Sequence, residues 1–431
     1  MPRIQNNIQE LTIFSNYGGQ LNLLGLGSIN EVIFFQSLLD DTVRAYFKVY
    51  DSGARPYTSG SVDMEEPGDI KITSGEKVSL AIQDENGTTI STSLLIEHVT
   101  SSSSDTMIET FDISLCSEDY IKNQWETHRC RRNYQGKISE TVEIILTEDL
   151  KTSQAFEIDE TLNFLPVNGH YDTPLDLITI LAPKSIPAAH PEFSGYLFFN
   201  TYEGYKFKSI DVLHKQGPKR KMIANRTARK PPGYDNNIVA FSFQNSMDIF
   251  KSMRSSTMSK VILKTFDEYT NEYPDEEETL YDGNTTIDGG SQNLGSERPL
   301  VATSIAYQAQ TSSIVSQFYN TGTLPPGFTL PEQLPFSKEP TFDLEGIVRK
   351  SIARYNQVFL LRATIVIEPG DFGIFPGDII FCDFPEISPK DLRLQVSQKK
   401  SGKYMVQDIA HCVNGETCYS RLNIVKDTIM V

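Results

Sequence analysis

The chain has 431 residues, which is too long for one ordinary hydrophobic core and predicts two to four domains. Its hydrophobic content of 39% and charged content of 22% are those of a soluble globular protein. With 39 basic and 56 acidic residues the net charge is −17, which argues against a protein that wraps nucleic acid, since that requires clustered Lys and Arg.

The first 115 residues predict a small barrel or sandwich. Short β-runs are separated by turn residues, and the clearest runs are 32–35, 45–49, 70–72, 78–82, 94–98 and 109–113. Asn86-Gly87 lies between two of these runs and is the best hairpin signal in the segment.

The next hundred residues predict an α+β domain. Ser117 is a helix N-cap followed by two acids, a second helix begins near Ser139, and residues 173–182 carry apolar side chains at helical spacing. Two strands follow at 196–200 and 206–211.

From residue 212 the pattern becomes irregular. Residues 215–230 hold seven basic residues and no acid, and residues 267–282 hold eight acids and no base. Strand-like runs occur at 238–243 and 260–266, residues 283–299 are rich in Gly, Ser and Asn, and a Pro-rich stretch at 324–340 precedes a helix at 343–355. The last strands are predicted at 358–368, 377–381, 403–410 and 419–425.

These elements predict a β-rich α+β fold with two barrels. The expected parts are a first barrel at 1–115, an α+β domain at 116–212 and a basic linker at 213–234. A second barrel is expected at 235–275 with 357–431, interrupted by an insertion at 276–356 that carries acidic and Gly/Pro-rich loops and a helix.

No residues form a catalytic, cofactor-binding or metal-binding pattern, so we expect a protein that is not an enzyme and needs no cofactor. The six histidines (His98, His128, His170, His190, His214 and His411) are scattered without metal-ligand spacing. There is no G-x-S-x-G elbow, and Gly25 and Gly27 lack the third glycine of a dinucleotide fingerprint. Asp282, Asn284 and Asp288 offer oxygen ligands, but the calcium-loop pattern of an EF-hand is missing.

The five cysteines are Cys116, Cys130, Cys382, Cys412 and Cys418. An odd number without a C-x-x-C pair supports neither a disulfide framework nor a zinc knuckle. Cys412 and Cys418 could meet across a hairpin, but buried free thiols are favoured, as in a chain folded in reducing cytoplasm. The N-terminus lacks the apolar core of a secretory signal, and no apolar run has the ~20 residues of a membrane helix.

The basic stretch at 215–230 is the one candidate for contact with nucleic acid. It has no interleaved aromatic residues for stacking on bases, so a solvated linker or contact with an acidic protein is favoured over contact with phosphate.

Four segments resemble the baseplate hub family of contractile-tailed phages, which is related to the base part of type VI secretion spikes. They are 32–41 with 47–53, 117–121 with 134–146, 195–211, and 372–380 with 401–411. The first and last resemble strands of the family's two tube-like barrels, and the second its helical region. The chain departs from the family at Arg44-Ala45, where a small residue such as Gly is expected, and in the insertion at 283–340.

The resemblance implies a structural protein of the virion, located in the tail baseplate and assembled in the host cytoplasm. It implies a homotrimer whose six barrels surround a channel for DNA and adapt the six-fold tail tube to the three-fold spike. Expected partners are a tail tube or tube-initiator protein, a central spike protein and other baseplate proteins, with no membrane and no specific nucleic acid. A glycan-binding module of a tail fibre and, less favoured, a tail-associated hydrolase are the alternatives.

Overall fold

The computed structural model describes residues 7–24, 29–51, 74–105, 108–189, 195–225, 231–244, 261–267, 275–278, 294, 313–319, 351, 354–355, 358–359, 361–386, 396–414 and 417–428. Within these residues the strands are β1 (Ile8–Phe14), β2 (Gln20–Asn22), β3 (Ile29–Ser37), β4 (Arg44–Asp51), β5 (Lys77–Gln83), β6 (Thr89–Asp105), β7 (Ile108–Cys116), β8 (Asn133–Tyr134), β9 (Phe156–Ile158), β10 (Val167–Asn168), β11 (Tyr196–Thr201), β12 (Gly204–Ser209), β13 (Arg220–Ala224), β14 (Asn236–Phe243), β15 (Val261–Asp267), β16 (Asp275–Glu278), β17 (Ser313–Tyr319), β18 (Leu361–Ile367), β19 (Ile379–Asp383), β20 (Gly402–Asn414) and β21 (Cys418–Lys426). The α-helices are α1 (Glu118–Lys122), α2 (Ile138–Ile144), α3 (Pro174–Leu181) and α4 (Ile210–His214).

The first barrel is a curled sheet of seven strands in the order β3-β4-β7-β6-β5-β1-β2. Its strands alternate between core and solvent, so one face carries the apolar residues; Val78, Leu80 and Ile82 of β5 all point into the core. The predicted hairpin at Asn86-Gly87 is confirmed, because β5 and β6 pair across it and Gly87 has φ +88°. Within the described residues no pairing joins β2 to β3.

The second barrel is closed. Its six strands follow the order β19-β13-β14-β18-β21-β20, and a further pairing of β19 with β20 completes the circle. Its core is aliphatic and aromatic, with Ile365, Ile380, Phe384 and Val406 fully buried. The expected β-rich α+β fold class with two barrels is therefore confirmed.

The two barrels share the order of five neighbouring strands. β3-β4-β7-β6-β5 in the first barrel corresponds to β14-β18-β21-β20-β19 in the second, and every pairing in both series is antiparallel. The chain also passes through the five strands in the same sequence each time. The sixth strand differs, because β1 runs antiparallel to β5 whereas β13 runs parallel to β19.

The central unit lies between the barrels in the chain. The hairpin β11–β12 pairs with β9, and α2 and α3 contribute to the same core. Its centre is aromatic: Tyr196 stacks on Phe207 with ring centroids 4.7 Å apart, and Phe198 stacks on Tyr205 at 5.5 Å. α2 begins where predicted, and Glu140 in its first turn accepts a hydrogen bond from the Lys137 N–H at 3.1 Å.

Two expectations about the second half of the chain were wrong. The segment at 213–234, expected to be a linker, contains β13, which lies between β14 and β19 in the second barrel. Met222 and Ala224 of β13 are buried. Arg220 begins the same face of the strand, where its guanidinium binds the buried Asp371 at 2.7 Å, whereas Lys221 on the other face is exposed.

The run predicted at 260–266 does form a strand, β15, but it does not belong to the second barrel. It pairs with β16 and β17 in a separate three-stranded sheet, whose other two strands belong to the expected insertion. A strand's partners depend on distant segments, so the local pattern of β15 contained no information about its sheet.

Several predicted features lie outside the described residues. They are the run at 70–72, the loop at 283–299 except Leu294, the loop at 324–340, the oxygen ligands Asp282, Asn284 and Asp288, and most of the helix at 343–355, of which Ser351, Arg354 and Tyr355 are described. None of the helices in the described part of the chain is long and apolar enough to cross a membrane.

Candidate assembly site

One strand of the second barrel, β20, also pairs with the first barrel. Its first residues, 402–405, pair with β19 and close the second barrel, whereas residues 408–414 pair with β3 of the first barrel. Its other edge pairs with β21 from Met405 to Val413. The two barrels are therefore joined edge to edge into one 13-stranded sheet. We call the paired segments of β3 and β20 the joint.

A β-bulge at Gln407 marks the point where β20 changes partner. Val406 lies opposite Ile424 and Asp408 lies opposite Asn423, so Gln407 is the extra residue. The Gln407 carbonyl accepts a hydrogen bond of 2.8 Å from the N–H of Leu38, just after β3. Before the bulge this edge of β20 pairs with β19, and after it the edge pairs with β3.

Asp408 holds three strands together at this end of the joint. Its carboxylate accepts hydrogen bonds from Ser37 Oγ of β3 at 2.6 Å, from Asn423 Nδ2 of β21 at 3.0 Å and from Gln407 Nε2 at 3.1 Å. Thr364 of β18 adds a fourth strand to this hydrogen-bond network, because its hydroxyl donates to Asn423 Oδ1 at 2.8 Å. A half-buried carboxylate with several donors fixes the register of the strands that supply them.

The other end of the joint is closed by Tyr419 and Glu31. The Tyr419 hydroxyl donates to Glu31 Oε1 at 2.7 Å, so β21 is tied to β3 across β20. This hydrogen bond, together with burial, raises the pKa of Tyr419 well above its ordinary value. The phenol is therefore a permanent donor at physiological pH.

His411 lies in the middle of the joint, opposite Phe34, and is completely buried. Its Nδ1 is 2.8 Å from Ser420 Oγ, and its ring centroid is 4.6 Å from that of Phe372. Burial lowers the pKa of His411 to about 3, so the imidazole is neutral at physiological pH and packs as a core side chain.

A second junction connects the central unit to the second barrel. Arg354 binds Asp211 of α4 at 2.8 Å and Asp427, just after β21, at 3.2 Å, and all three side chains are buried. Arg354 also donates to His214 Nδ1 at 3.0 Å. Burial on its own raises the pKa of Asp427. The charges of His214 and Arg354 and the hydrogen bonds from Leu294 and Thr428 together outweigh burial, so the pKa of Asp427 lies below its ordinary value.

Lys426 lies next to this junction at the end of β21. Its ammonium donates to the Ser401 carbonyl at 3.3 Å and lies 5.2 Å from the centroid of the Tyr404 ring. Burial lowers the pKa of Lys426 to about 8, because the surrounding barrel core disfavours the charged form.

The remaining titratable groups that could have formed a reactive site are dispersed. His98 is exposed on β6, His128 Nδ1 contacts the Asp149 carbonyl at 2.6 Å, and His190 lies outside the described residues. All five cysteines are buried free thiols, and burial raises the pKa of Cys116 and Cys418 to about 12. Within the described residues no three His, Cys, Asp or Glu side chains are grouped so that they could hold a metal ion.

The residues that build the joint and the second junction were missed at the sequence level. Ser37 and Asp408 are 371 positions apart, and nothing in either local segment indicates the other. The sequence did contain one sign that the two barrels are equivalent. Arg44-Ala45 in β4 recurs as Arg362-Ala363 in β18, at the same place in each barrel.

Comparison with known proteins gives structural matches but no sequence matches. No protein-family model and no curated protein matches the chain. A tail protein from Neisseria meningitidis MC58 is similar with a TM-score of 0.54 and 9% identity, covering 97% of both chains. The 43 kDa tail protein of prophage MuSo2 from Shewanella oneidensis is similar with a TM-score of 0.51 and 11% identity, covering 97% of this chain and 98% of that one.

These identities are low, so the matches concern the fold alone, but they extend over nearly the whole chain. They therefore include both barrels and the central unit. The chain has the fold of these phage tail proteins, in agreement with the baseplate hub resemblance of its sequence.

Proposed function

We propose that the protein is a structural baseplate hub subunit of a contractile phage tail. Three copies would form a ring that adapts the six-fold tail tube to the three-fold central spike and leaves a channel for DNA. The observation that carries this proposal is the joint between β3 and β20. It places two barrels of matching strand order edge to edge in one subunit, so three subunits supply six barrels.

The two junctions support a mechanical role. A hub must transmit force between tube and spike without changing shape, and strands that share one sheet resist shear through their hydrogen bonds. The buried Arg354 pairs with Asp211 and Asp427 and thereby anchors the central unit to the same sheet. The two junctions thus connect both barrels and the central unit within one subunit.

The proposed partners follow from this role. They are two further copies of the chain, a tail tube or tube-initiator protein, a central spike protein and other baseplate proteins, in a virion that is assembled in the host cytoplasm. The net charge of −17 suits a channel wall that repels DNA phosphates and does not retain a passing genome.

We also propose the division of the chain into a first barrel at 1–115, a central unit at 116–212 and a second barrel at 235–275 with 357–431, with two changes. The second barrel gains β13 and loses β15, which we assign to the insertion together with β16 and β17. Limited proteolysis tests this division, because cleavage is expected between these units before it occurs within them.

The trimer is tested by native mass spectrometry and electron microscopy of the purified chain, alone and with the tube and spike proteins of the same phage. The expected result is an assembly of three 48.5 kDa chains that appears as a ring of six similar lobes. A folded chain that stays monomeric at all concentrations, even with both partners present, would contradict the hub proposal.

The proposal also implies that the protein has no catalytic activity. Purified protein is expected to leave peptidoglycan and other glycans intact, so that any lysis by the particle belongs to another component. Lysis that disappears on substitution of a single carboxylate would instead favour the tail-associated hydrolase.

A further inference from the structure

The two barrels match at several individual positions as well as in the order of their strands. In the first, Gly75 has φ +86° and its N–H donates to the Ile96 carbonyl at 2.7 Å. In the second, Gly377 has φ +89° and its N–H donates to the Val406 carbonyl at 2.8 Å. Each glycine lies two positions before the first residue of the matching strand, β5 or β19, so these positions align the barrels.

The bulges occur at matching places as well. The extra residue follows directly after Ile96 and Val406, and is Glu97 in β6 and Gln407 in β20. A second pair of bulges follows Ile29 in β3 and Ile238 in β14. Since bulges set which residues face each neighbour, the hydrogen-bonding edges of the two barrels are equivalent too.

The joint uses one edge of each barrel. On β20 it uses residues 408–414, which lie beyond the part covered by β19. The equivalent residues of β6 are 98–104, and β5 pairs only with residues 89–95 of that strand. Within the described residues, this part of β6 pairs with β7 alone.

On the first barrel the joint uses β3, whose equivalent in the second barrel is β14. β13 pairs with β14 only as far as Ile238, so among the described residues 240–243 pair with β18 alone. Phe241 lies in this segment and has 41% of its surface exposed, and Val239 lies just before it and has 55% exposed. An open edge with apolar side chains is a template for another strand.

The position of this edge matches a ring. In the closed six-stranded barrel, β14 is three strands away from β20 in either direction, so it lies on the side opposite the joint. A second barrel that pairs through β20 with one first barrel and through β14 with another therefore joins its two neighbours into a continuous row of barrels. Such a heterologous contact generates a ring when the rotation between subunits closes and an open filament when it does not, and the proposed trimer requires that it closes after three subunits.

We propose that β6 of one subunit pairs antiparallel with β14 of the next, with Thr100 opposite Gln244. In the joint Ala410 lies opposite Phe35. Ala410 and Thr100 are each the third residue after their bulge. Phe35 lies opposite Arg44, and Gln244 occupies the same place beside Arg362, to whose carbonyl its N–H donates at 2.9 Å. The occupant of the open edge is thus a second copy of this chain, and the inference rests on the proposed trimer.

The test is an engineered disulfide in the otherwise unchanged full chain. Thr100 and Gln244 are both exposed, and the five native thiols are buried with raised pKa values, so they react slowly. Thr100→Cys with Gln244→Cys is expected to form a covalent trimer on mild oxidation, which is detected by denaturing gel electrophoresis without reductant. Each single variant should not form this trimer. The matched control is Ser93→Cys with Gln244→Cys, because Ser93 is exposed on β6 but lies where β5 already covers the strand.

The outcomes separate the two proposals. A non-covalent trimer that does not crosslink, or that crosslinks through residue 93 equally well, overturns the β6–β14 pairing but leaves the hub proposal intact. A chain that never trimerises contradicts both. If the double variant does not fold, hydrogen exchange on the unmodified trimer decides: the outward amides at 240–243 must exchange more slowly than in dissociated chains, and equal exchange overturns the pairing.

Discussion

The carboxylate of Asp408 in β20 accepts a 2.6 Å hydrogen bond from the hydroxyl of Ser37 in β3, although 371 positions separate the two residues in the chain. This contact lies at the end of the joint next to the Gln407 bulge, where β20 passes from one barrel to the other. It links the stability of each barrel to that of its neighbour, and it suggests where the subunit can be weakened most selectively.

Replacement of Asp408 by Asn should destabilise the joint. The amide would place an N–H₂ group against donors of Ser37, Asn423 or Gln407, which leaves at least one of them without an acceptor. We expect a loss of about 1–3 kcal/mol, measured by urea unfolding. Glu85→Gln, at an exposed carboxylate in the β5–β6 turn, is the control and should change little. Equal losses for the two variants would argue against a role of Asp408 in the joint.

Arg354→Met should weaken the second junction strongly. The substitution removes the cation that the buried carboxylates of Asp211 and Asp427 both contact, at a cost of about 3–5 kcal/mol. Arg131→Met is the matched control, because Arg131 pairs with Glu126 at the surface and should contribute no more than about 1 kcal/mol. The measurement is the unfolding midpoint in urea, and similar midpoints for both variants would contradict the prediction.

Gly377→Ala should destabilise the second barrel. Its φ of +89° is a left-handed backbone conformation that costs a residue with a side chain about 1–3 kcal/mol. The new methyl would lie at an ordinary contact distance of 3.5 Å from Leu38, Leu213 and Phe199, so the expected cost comes from the backbone conformation. Gly217→Ala is the control, because its φ is not positive and an added Cβ meets nothing within 4 Å. Thermal unfolding that is the same for both variants would show that Gly377 is not constrained in this way.

Lys426 should make stability depend on pH. The pKa of Lys426 is about 8 in the folded state and 10.5 in an unfolded chain. Between pH 8 and pH 10.5 the unfolded state therefore binds more protons than the folded state, so the contribution of Lys426 to the free energy of unfolding rises with pH. Lys426→Met should therefore be more stable than the parent at pH 7, by about 1–3 kcal/mol, and this advantage should shrink from pH 8 to pH 10.

The check on Lys426 is urea unfolding at several pH values, with the exposed Lys403→Met as control for general effects of charge. Tyrosines and cysteines with raised pKa values also titrate in this range, so the informative quantity is the difference between variant and parent. A difference that stays constant from pH 7 to pH 10 would mean that Lys426 remains charged in the fold.

Most strands of the barrels were predictable because each has one buried face and therefore an alternating pattern. The hairpin at Asn86-Gly87 was predictable because its turn requires positive φ. β13 was missed because its basic residues dominate the composition, although Met222 and Ala224 point inward. The joint could not be predicted from local pattern at all, because pairing between distant strands depends on which edges remain free after each barrel has formed.

The shared strand also sets when a newly made chain can be completed. At about 5–20 residues per second, the ribosome needs roughly 20–70 s to add the residues between Ser37 and Asp408. During that time the outer edge of β3 has no strand to cover it, which makes it a site for premature pairing and for chaperone binding. A truncated product without β20 would expose this edge permanently. Covering of the β3 edge by the hairpin of β20 and β21 therefore distinguishes complete chains from truncated ones.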